Sequence, residues 1–438
     1  IALYSNGQIQ EALDAVETLI KSYPNEALLY NISGACFAGL GQLDNALKSY
    51  EKALAIKPDY AEVHYNLGVT LQELGQLDAA VKSYEQALAI KPDFADAYNN
   101  LGIALKELDQ LNADDLTELG LSMEDAVKAA DERVVSIPYL GVSRGRNESL
   151  LLSSRGVSYS QQSNEVAAWC GPLLQDGDSR KSGMQIYHRR EWDPQAGKRI
   201  GAEAVKKAVE LLKASPISGG KLPVVLDEYM APRFLGMFFG AFSAESAQRG
   251  MSRLQGRLGE TIAIPELTLL DDPHRQGANR SCFLDGEGFL TKPLPLIENG
   301  VFLNFLYHVE SANKENKSST GHAVRGYSGG ISTRSHNLVW PTGELNLEQL
   351  CAQNSKCLLV TQLEGQAGCN PVSGDISIGV QGFLIENGRR IQPVDSITLA
   401  GNFFDVLLNI RGSGNTYQPE LTHSFIPALL IEGLSVSG

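Results

Sequence analysis

At 438 residues, 43% of them hydrophobic, the chain is long enough to bury the cores of two or three domains, and disorder is not its default state. The formal charge is -14, of which residues 1–111 carry -8 (seven Lys, no Arg, fifteen acids), so neither half offers the basic stripe that phosphate neutralisation needs, and nucleic acid is excluded as an expected partner. Six scattered cysteines without a CxxC pair fit a reduced, cytoplasmic setting, and no apolar run reaches the ~18–20 residues of a membrane span.

Residues 27–60 and 61–94 are two copies of one 34-residue unit, identical at 19 positions. Gly34/Gly68, Ala46/Ala80, Tyr50/Tyr84, Ala53/Ala87 and Pro58/Pro92 recur in register, a pattern that resembles the tetratricopeptide (TPR) repeat. Small residues at Gly34 and Ala46 allow two helices to approach, Tyr50 fills the space between them, and Pro58 ends the second helix. Residues 1–24 read as the second helix of an earlier repeat and 95–111 as the first helix of a later one, so the TPR region is set at 1–111. The Ile1 start and the half repeat near Leu111 suggest a fragment or missing residues at that junction. Helical hairpins stack into a solenoid whose concave side is lined by the first helix of each unit. On that side Asn31, Tyr65, Gln72, Asn99 and Lys106 are candidates for holding a peptide or protein ligand; solvated polar side chains are the plain alternative.

From Asp115 a short loop is expected, then a helix capped by Ser122 that runs through Ala130. Alternating runs over 134–163 predict antiparallel strands, and Val205, Ala208, Val209 and Leu212 predict an amphipathic helix over 202–214. Leu222–Leu226 reads as a buried strand feeding a Met/Phe-rich core helix with Pro232 in its first turn. Beyond residue 255 short glycine-rich strands dominate, and Glu298-Asn299-Gly300 and Glu386-Asn387-Gly388 each signal a hairpin. The expected fold class is therefore multidomain: an all-α TPR solenoid followed by an α+β region with a large antiparallel or barrel-like C-terminal sheet. Its parts are set at 112–218, an N-terminal α/β portion that looks truncated, and 219–438, a β-rich domain.

The segments GMSRLQGRLGETI (250–262), LDDPHRQGANRSCFLDGEGF (270–289), GCNPVSGDISIGVQGFLIENG (368–388) and PVDSITLAGNFFDVLLNI (393–410) resemble the TldD/PmbA family of two-subunit zinc metallopeptidases, once described as gyrase modulators, and within it the PmbA (TldE) branch. The resemblance covers most of 112–438. In the catalytic branch HExxxH and a later cysteine bind zinc, and the glutamate activates water; two histidines about one turn apart can aim at one metal. Here the corresponding stretches, LDEYMAPRFLG (226–236) and GSGNTYQPEL (412–421), contain neither histidine nor cysteine. The resemblance thus implies no cofactor in this chain, zinc in a TldD-type partner subunit, and a non-catalytic role in proteolysis of peptides or unfolded proteins. A stand-alone TPR scaffold that forms a homodimer is the alternative.

No local zinc pattern occurs among His64, His188, His274, His308, His322, His336 and His423, and Cys351, Cys357 and Cys369 are weighed as remote ligands against three buried thiols. Asp285 and Glu287 could act as an acid/base pair or form a structural turn. Asp375 and Ser377 could line a cavity or bond nearby backbone. GVSRG (141–145) and GYSGG (326–330) match the spelling of a serine elbow at Ser143 and Ser328, but neither precedes a helix.

Overall fold

The computed structural model describes residues 8–91, 94, 111–152, 158–190, 192–275, 277–326, 329–365 and 367–438. Its first helices are α1 (Ile9–Ser22), α2 (Ala27–Gly39), α3 (Leu43–Ile56), α4 (Ala61–Glu73) and α5 (Leu77–Ile90). They pack pairwise, α2 on α3 and α4 on α5, because each pair has a hole that one ring fills. Tyr50 and Tyr84 are 2% and 0% exposed, and a Cβ added at Gly34 or Gly68 would lie 2.5 or 2.6 Å from those rings. Gly68→Ala is therefore expected to cost about 1–3 kcal/mol by overpacking. Urea unfolding followed at the helical CD band checks this, and an unchanged midpoint would mean that Tyr84 swings aside freely. The helix expected over 95–111 falls almost wholly outside the described residues, as do Asn99 and Lys106.

The next layer opens with α6 (Ala113–Ala130). It begins ten residues earlier than expected: Asn112, not Ser122, is the cap, accepting from Asp114 N and Asp115 N while Asp115 reaches back to Asn112 N. Two long antiparallel strands follow, β1 (Val134–Leu152) and β2 (Ser158–Asp176), and β2 also pairs with β3 (Ser179–Ser182) and β4 (Gln185–Arg189). The second amphipathic helix, α7, spans Ala196–Leu211 instead of 202–214. Gly197 and Gly201 lie inside it, where a Cβ would fall 2.9 Å from Leu119 O and 2.6 Å from Met123 O, so small residues set the close crossing of α6 and α7. Leu119, Met123, Val127, Ile200, Ala204 and Ala208 form the core between these helices and the sheet.

The remainder is a curled sheet with a large apolar core on one side and a smaller one, around Val225, Leu359 and Leu430, on the other. Strands β5 (Gly220–Lys221) and β6 (Val224–Leu226) lead to α8 (Met230–Gly236), then β7 (Leu269–Asp271), β8 (Leu294–Glu298) and β9 (Val301–Phe302). After these come β10 (Ala323–Arg325), β11 (Ile331–Thr333), β12 (Leu338–Val339), β13 (Lys356–Glu364), β14 (Asp375–Glu386) and β15 (Arg389–Asn402). The chain ends with β16 (Ile410–Ser413), β17 (Ser424–Phe425), β18 (Leu429–Ile431) and β19 (Ser435–Ser437). Eight strands in the order β16-β18-β6-β13-β14-β15-β19-β5 form a curled half-barrel, flanked by the sheet β17-β12-β7-β8-β9. Both Asn-Gly turns close hairpins, with φ of 49° and 80° at Asn299 and Gly300 and 50° and 74° at Asn387 and Gly388. The Phe-rich stretch is core: Phe234, Phe238 and Phe242 are buried, and Phe238 stacks on Phe403 at 4.8 Å. Among the described residues no helix is long and apolar enough to cross a membrane.

Candidate functional site

Where β4 and α7 face β6, α8 and the loop around 418–424, the chain encloses a cleft of about 1100 Å³. Its floor follows from a strand-to-helix turn. β6 is fully buried and apolar, so the first polar residue after it, Asp227, is delivered to the cleft wall at the mouth of α8. Asp227 Oδ1 accepts from Tyr229 N (3.0 Å) and Met230 N (2.8 Å) and so holds the turn. Burial pushes this carboxyl up to about 6, with the Met230 N–H pulling the other way and the neighbouring Glu228 adding like charge.

Opposite, α7 presents Lys207, whose Nζ donates to Met184 O (3.2 Å) and Gln185 Oε1 (2.8 Å) and whose ammonium burial holds below the usual lysine range. Burial also pushes the Tyr229 phenol up to about 12. Glu420 Oε2 accepts from His188 N (2.7 Å) and lies 3.5 Å from Arg189 Nε, which ties the 418–424 loop to β4. His423 is pushed down to about 4, by burial first and by Arg280 and Arg334 second, so it faces the cleft as a neutral ring. Both walls carry charges of both signs, which suits a polar ligand, and Asp227 takes up a proton as pH falls through about 6.

It does not fit zinc. The turn at the mouth of α8 carries Asp227, Glu228 and Pro232 and no histidine, Asp227 Oδ1 is taken by two backbone donors, and among the described residues no three His, Cys, Asp or Glu side chains converge as metal ligands. Cys351 and Cys357 pack in one core, with Cys357 Sγ 3.5 Å from Cys351 O, whereas Cys369 borders another.

A second polar cluster is sealed inside the C-terminal domain. Asp271 Oδ2 accepts from His322 Nε2 (3.0 Å) and His336 N (2.9 Å), with both acidic and imidazole side chains of the Asp271–His322 pair fully buried. His336 Nε2 donates to Gly321 O (2.8 Å), which leaves Nδ1 to accept from the Cys282 thiol at 3.4 Å. Burial pushes that thiol up to about 12, so Cys282 is held protonated and is no nucleophile.

None of Asp285, Glu287, Asp375 or Ser377 lines the cleft. Asp285 spends its carboxylate on Glu287 N, Phe289 N and Ala323 N, and Glu287 Oε2 accepts from Val309 N, so the two organise backbone in the 285–323 region. Asp375 is exposed, bonded to Ser373 and Asn402, and Ser377 is exposed on β14. In the repeats, Asn31 accepts from Asn66 Nδ2 (3.0 Å), Gln72 Oε1 accepts from the Tyr84 hydroxyl (2.8 Å), and Tyr65 packs between Tyr84 and Phe94. Ser143 lies mid-strand opposite Ala167, and Ser328 is outside the described residues. Sequence reading passed over Lys207, and it met Asp227, Glu420 and His423 only in the search for zinc ligands. The available signal was Asp227-Glu228 directly after the apolar run Val224–Leu226.

Comparison with known proteins agrees with this architecture. Residues 219–438 match the PmbA/TldA metallopeptidase C-terminal domain, 106–212 its central domain, and 34–75 and 72–109 the TPR repeat. The metalloprotease PmbA homolog of Haemophilus influenzae is 30% identical over 75% of this chain and 70% of its own length. Metalloprotease PmbA of Escherichia coli O157:H7 is 30% identical over 69% of this chain and 65% of its own. This chain thus spans about two thirds of those relatives. A Thermotoga maritima structure named for modulation of DNA gyrase superposes with a TM-score of 0.69 at 27% identity, covering 80% of this chain and 84% of that one. TldE of Thermococcus kodakarensis shares the fold at a TM-score of 0.66 and 24% identity, over 76% of each chain. With a half-barrel, a central two-helix layer and these matches in register, the chain belongs to the PmbA/TldD metallopeptidase family and carries TPR repeats at its N-terminal end.

Proposed function

We propose that this chain is the non-catalytic, PmbA/TldE-type subunit of a cytoplasmic metallopeptidase assembly, in which a TldD-type subunit supplies zinc and the TPR repeats recruit a protein or peptide. The observation that carries the reading is the turn at Asp227: the cleft measures about 1100 Å³, and the side chains this turn presents to it are a backbone-bonded carboxylate and a proline, with no imidazole. A cleft of that size with cationic and anionic walls suits an unfolded polypeptide better than a small metabolite. Strand addition at an edge of the half-barrel, whose end strands are β16 and β5, is the proposed mode of capture.

The test is elemental analysis and peptide hydrolysis on the isolated chain, then with a TldD-type subunit added. No zinc and no cleavage alone, with association and altered cleavage in the mixture, is the expected result. Near-stoichiometric zinc with chelator-sensitive cleavage by the isolated chain would overturn it. Self-association without any effect on a TldD-type subunit would favour the scaffold reading, for which the exposed Leu150 and Leu152 of β1 and Leu290 offer apolar surface.

A further inference from the structure

Beside the main cleft, and sharing Asn279, Arg280, Arg334 and Leu421 with it, lies a second hollow of about 440 Å³. Three guanidinium groups border it: Arg190 just after β4, Arg280 in the loop between β7 and β8, and Arg334 just after β11. The only carboxylate on its wall, among the described residues, is Glu165 of β2, and that group is engaged by His188 Nε2 at 3.1 Å. Neither Arg280 nor Arg334 forms an ion pair among the described residues, and the Arg280 side chain donates only to Ser335 O, at 3.5 Å. Arg190 Nη2 donates to Ala278 O (3.1 Å), while its Nε is buried with no hydrogen-bond partner.

Gathering three cations around one hollow costs free energy unless a counter-charge arrives. Two neighbours register that field. Arg280 is pulled down to about 10 by burial and then by Arg334, and His423 is driven neutral by burial and by the same two arginines. The repeats approach from the other side, where Glu85 of α5 comes within 3.8 Å of Arg190 Nη1. That carboxylate partly offsets Arg190 but does not border the hollow.

We propose that the hollow ringed by Arg190, Arg280 and Arg334 is an anion subsite that takes the carboxylates of an acidic polypeptide segment lying in the adjoining cleft. The inference rests on the reading of that cleft as a polypeptide groove and adds the charge of the segment it prefers. A carboxylate fits better than a nucleic-acid phosphate because the hollow is small and the chain as a whole carries -14, which repels an extended polyanion beyond the pocket.

The test is fluorescence anisotropy on the full chain at low salt with a dye-labelled aspartate-rich peptide and its asparagine counterpart. The aspartate peptide is expected to bind about tenfold more tightly, as one or two charge-assisted hydrogen bonds provide, and the gap is expected to narrow as salt is raised. Arg334→Gln, at an exposed site, and Arg280→Gln should each remove about fivefold or more of the preference, while Glu85→Gln should strengthen binding by about twofold. Equal affinity for the two peptides overturns the subsite and leaves the groove standing. Binding of neither peptide overturns both. Displacement of the aspartate peptide by inorganic phosphate at matching concentration, or tighter binding of a labelled single-stranded oligonucleotide, also overturns the carboxylate assignment.

Discussion

Asp271→Ala is expected to destabilise the C-terminal domain by about 3–5 kcal/mol, because it strips the acceptor from two buried donors and leaves a void. Asp271 is 0% exposed at the end of β7, paired across to Leu338 on one side and Leu294 on the other. Its Oδ2 is the shared acceptor for His322 Nε2 and His336 N. With Nε2 donating, His322 Nδ1 accepts, and the Thr320 hydroxyl 2.8 Å away is its donor; Thr320 Oγ1 in turn takes the Tyr307 N–H at 2.8 Å. The carboxylate therefore sets the tautomer of one imidazole and anchors the backbone before another, so the loss spreads into the 307–322 segment. Asp271→Asn keeps an oxygen in the same place and is expected to cost less, about 1–2 kcal/mol, since it removes charge but adds an amide with no acceptor. Urea unfolding of the parent and both variants measures the order. A cost under about 1 kcal/mol for alanine would show that water or a repacked loop takes over the two donors.

The repeats were legible because two copies of one unit test each other: Gly34/Tyr50 and Gly68/Tyr84 are the same contact written twice. The two Asn-Gly hairpins were legible because only a few residue types accept positive φ at both turn positions. Helix starts were less so. The Asn112–Asp115 box lay in view, but Ser122 inside α6 was read as the cap, and the second helix was started at 202, after Gly197 and Gly201, which lie inside α7. Gly197, Gly201 and Ser122 meet at the helix crossing, where only small side chains fit, and that is a tertiary fact with no local trace. The family was legible from four segments that lie far apart. The cleft was not. Lys207, Asp227, Arg280, Arg334 and the Glu420–His423 loop come from five places along the chain, and no spacing rule joins them. Asp285 and Glu287 drew notice by sitting two apart, yet their oxygens are spent on backbone N–H groups. Proximity in sequence served as a substitute for proximity in space, and on a tight loop the two part company.

Asp227→Asn is expected to raise stability by about 1–3 kcal/mol above pH ~6 and to leave it unchanged below pH ~4. The carboxyl stands at about 6 in the fold against an ordinary 3.8, so across that window the folded chain keeps a proton that the unfolded chain has released. Raising the pH strips that proton and leaves a charge in a partly buried turn, and stability falls with rising pH between those two values. Asparagine avoids the charge and still offers Oδ1 to Tyr229 N and Met230 N, so the mouth of α8 is preserved. Urea midpoints for parent and variant at matched pH values isolate this group, since every other titration is common to both. If the variant is instead weaker at pH 8, the Lys207 ammonium holds Asp227 as an anion and burial is not the dominant influence. The same comparison bears on function. The carboxyl takes up its proton only as pH falls through about 6, so an Asp227 that donates to a ligand in the cleft is expected on the acid side of that value.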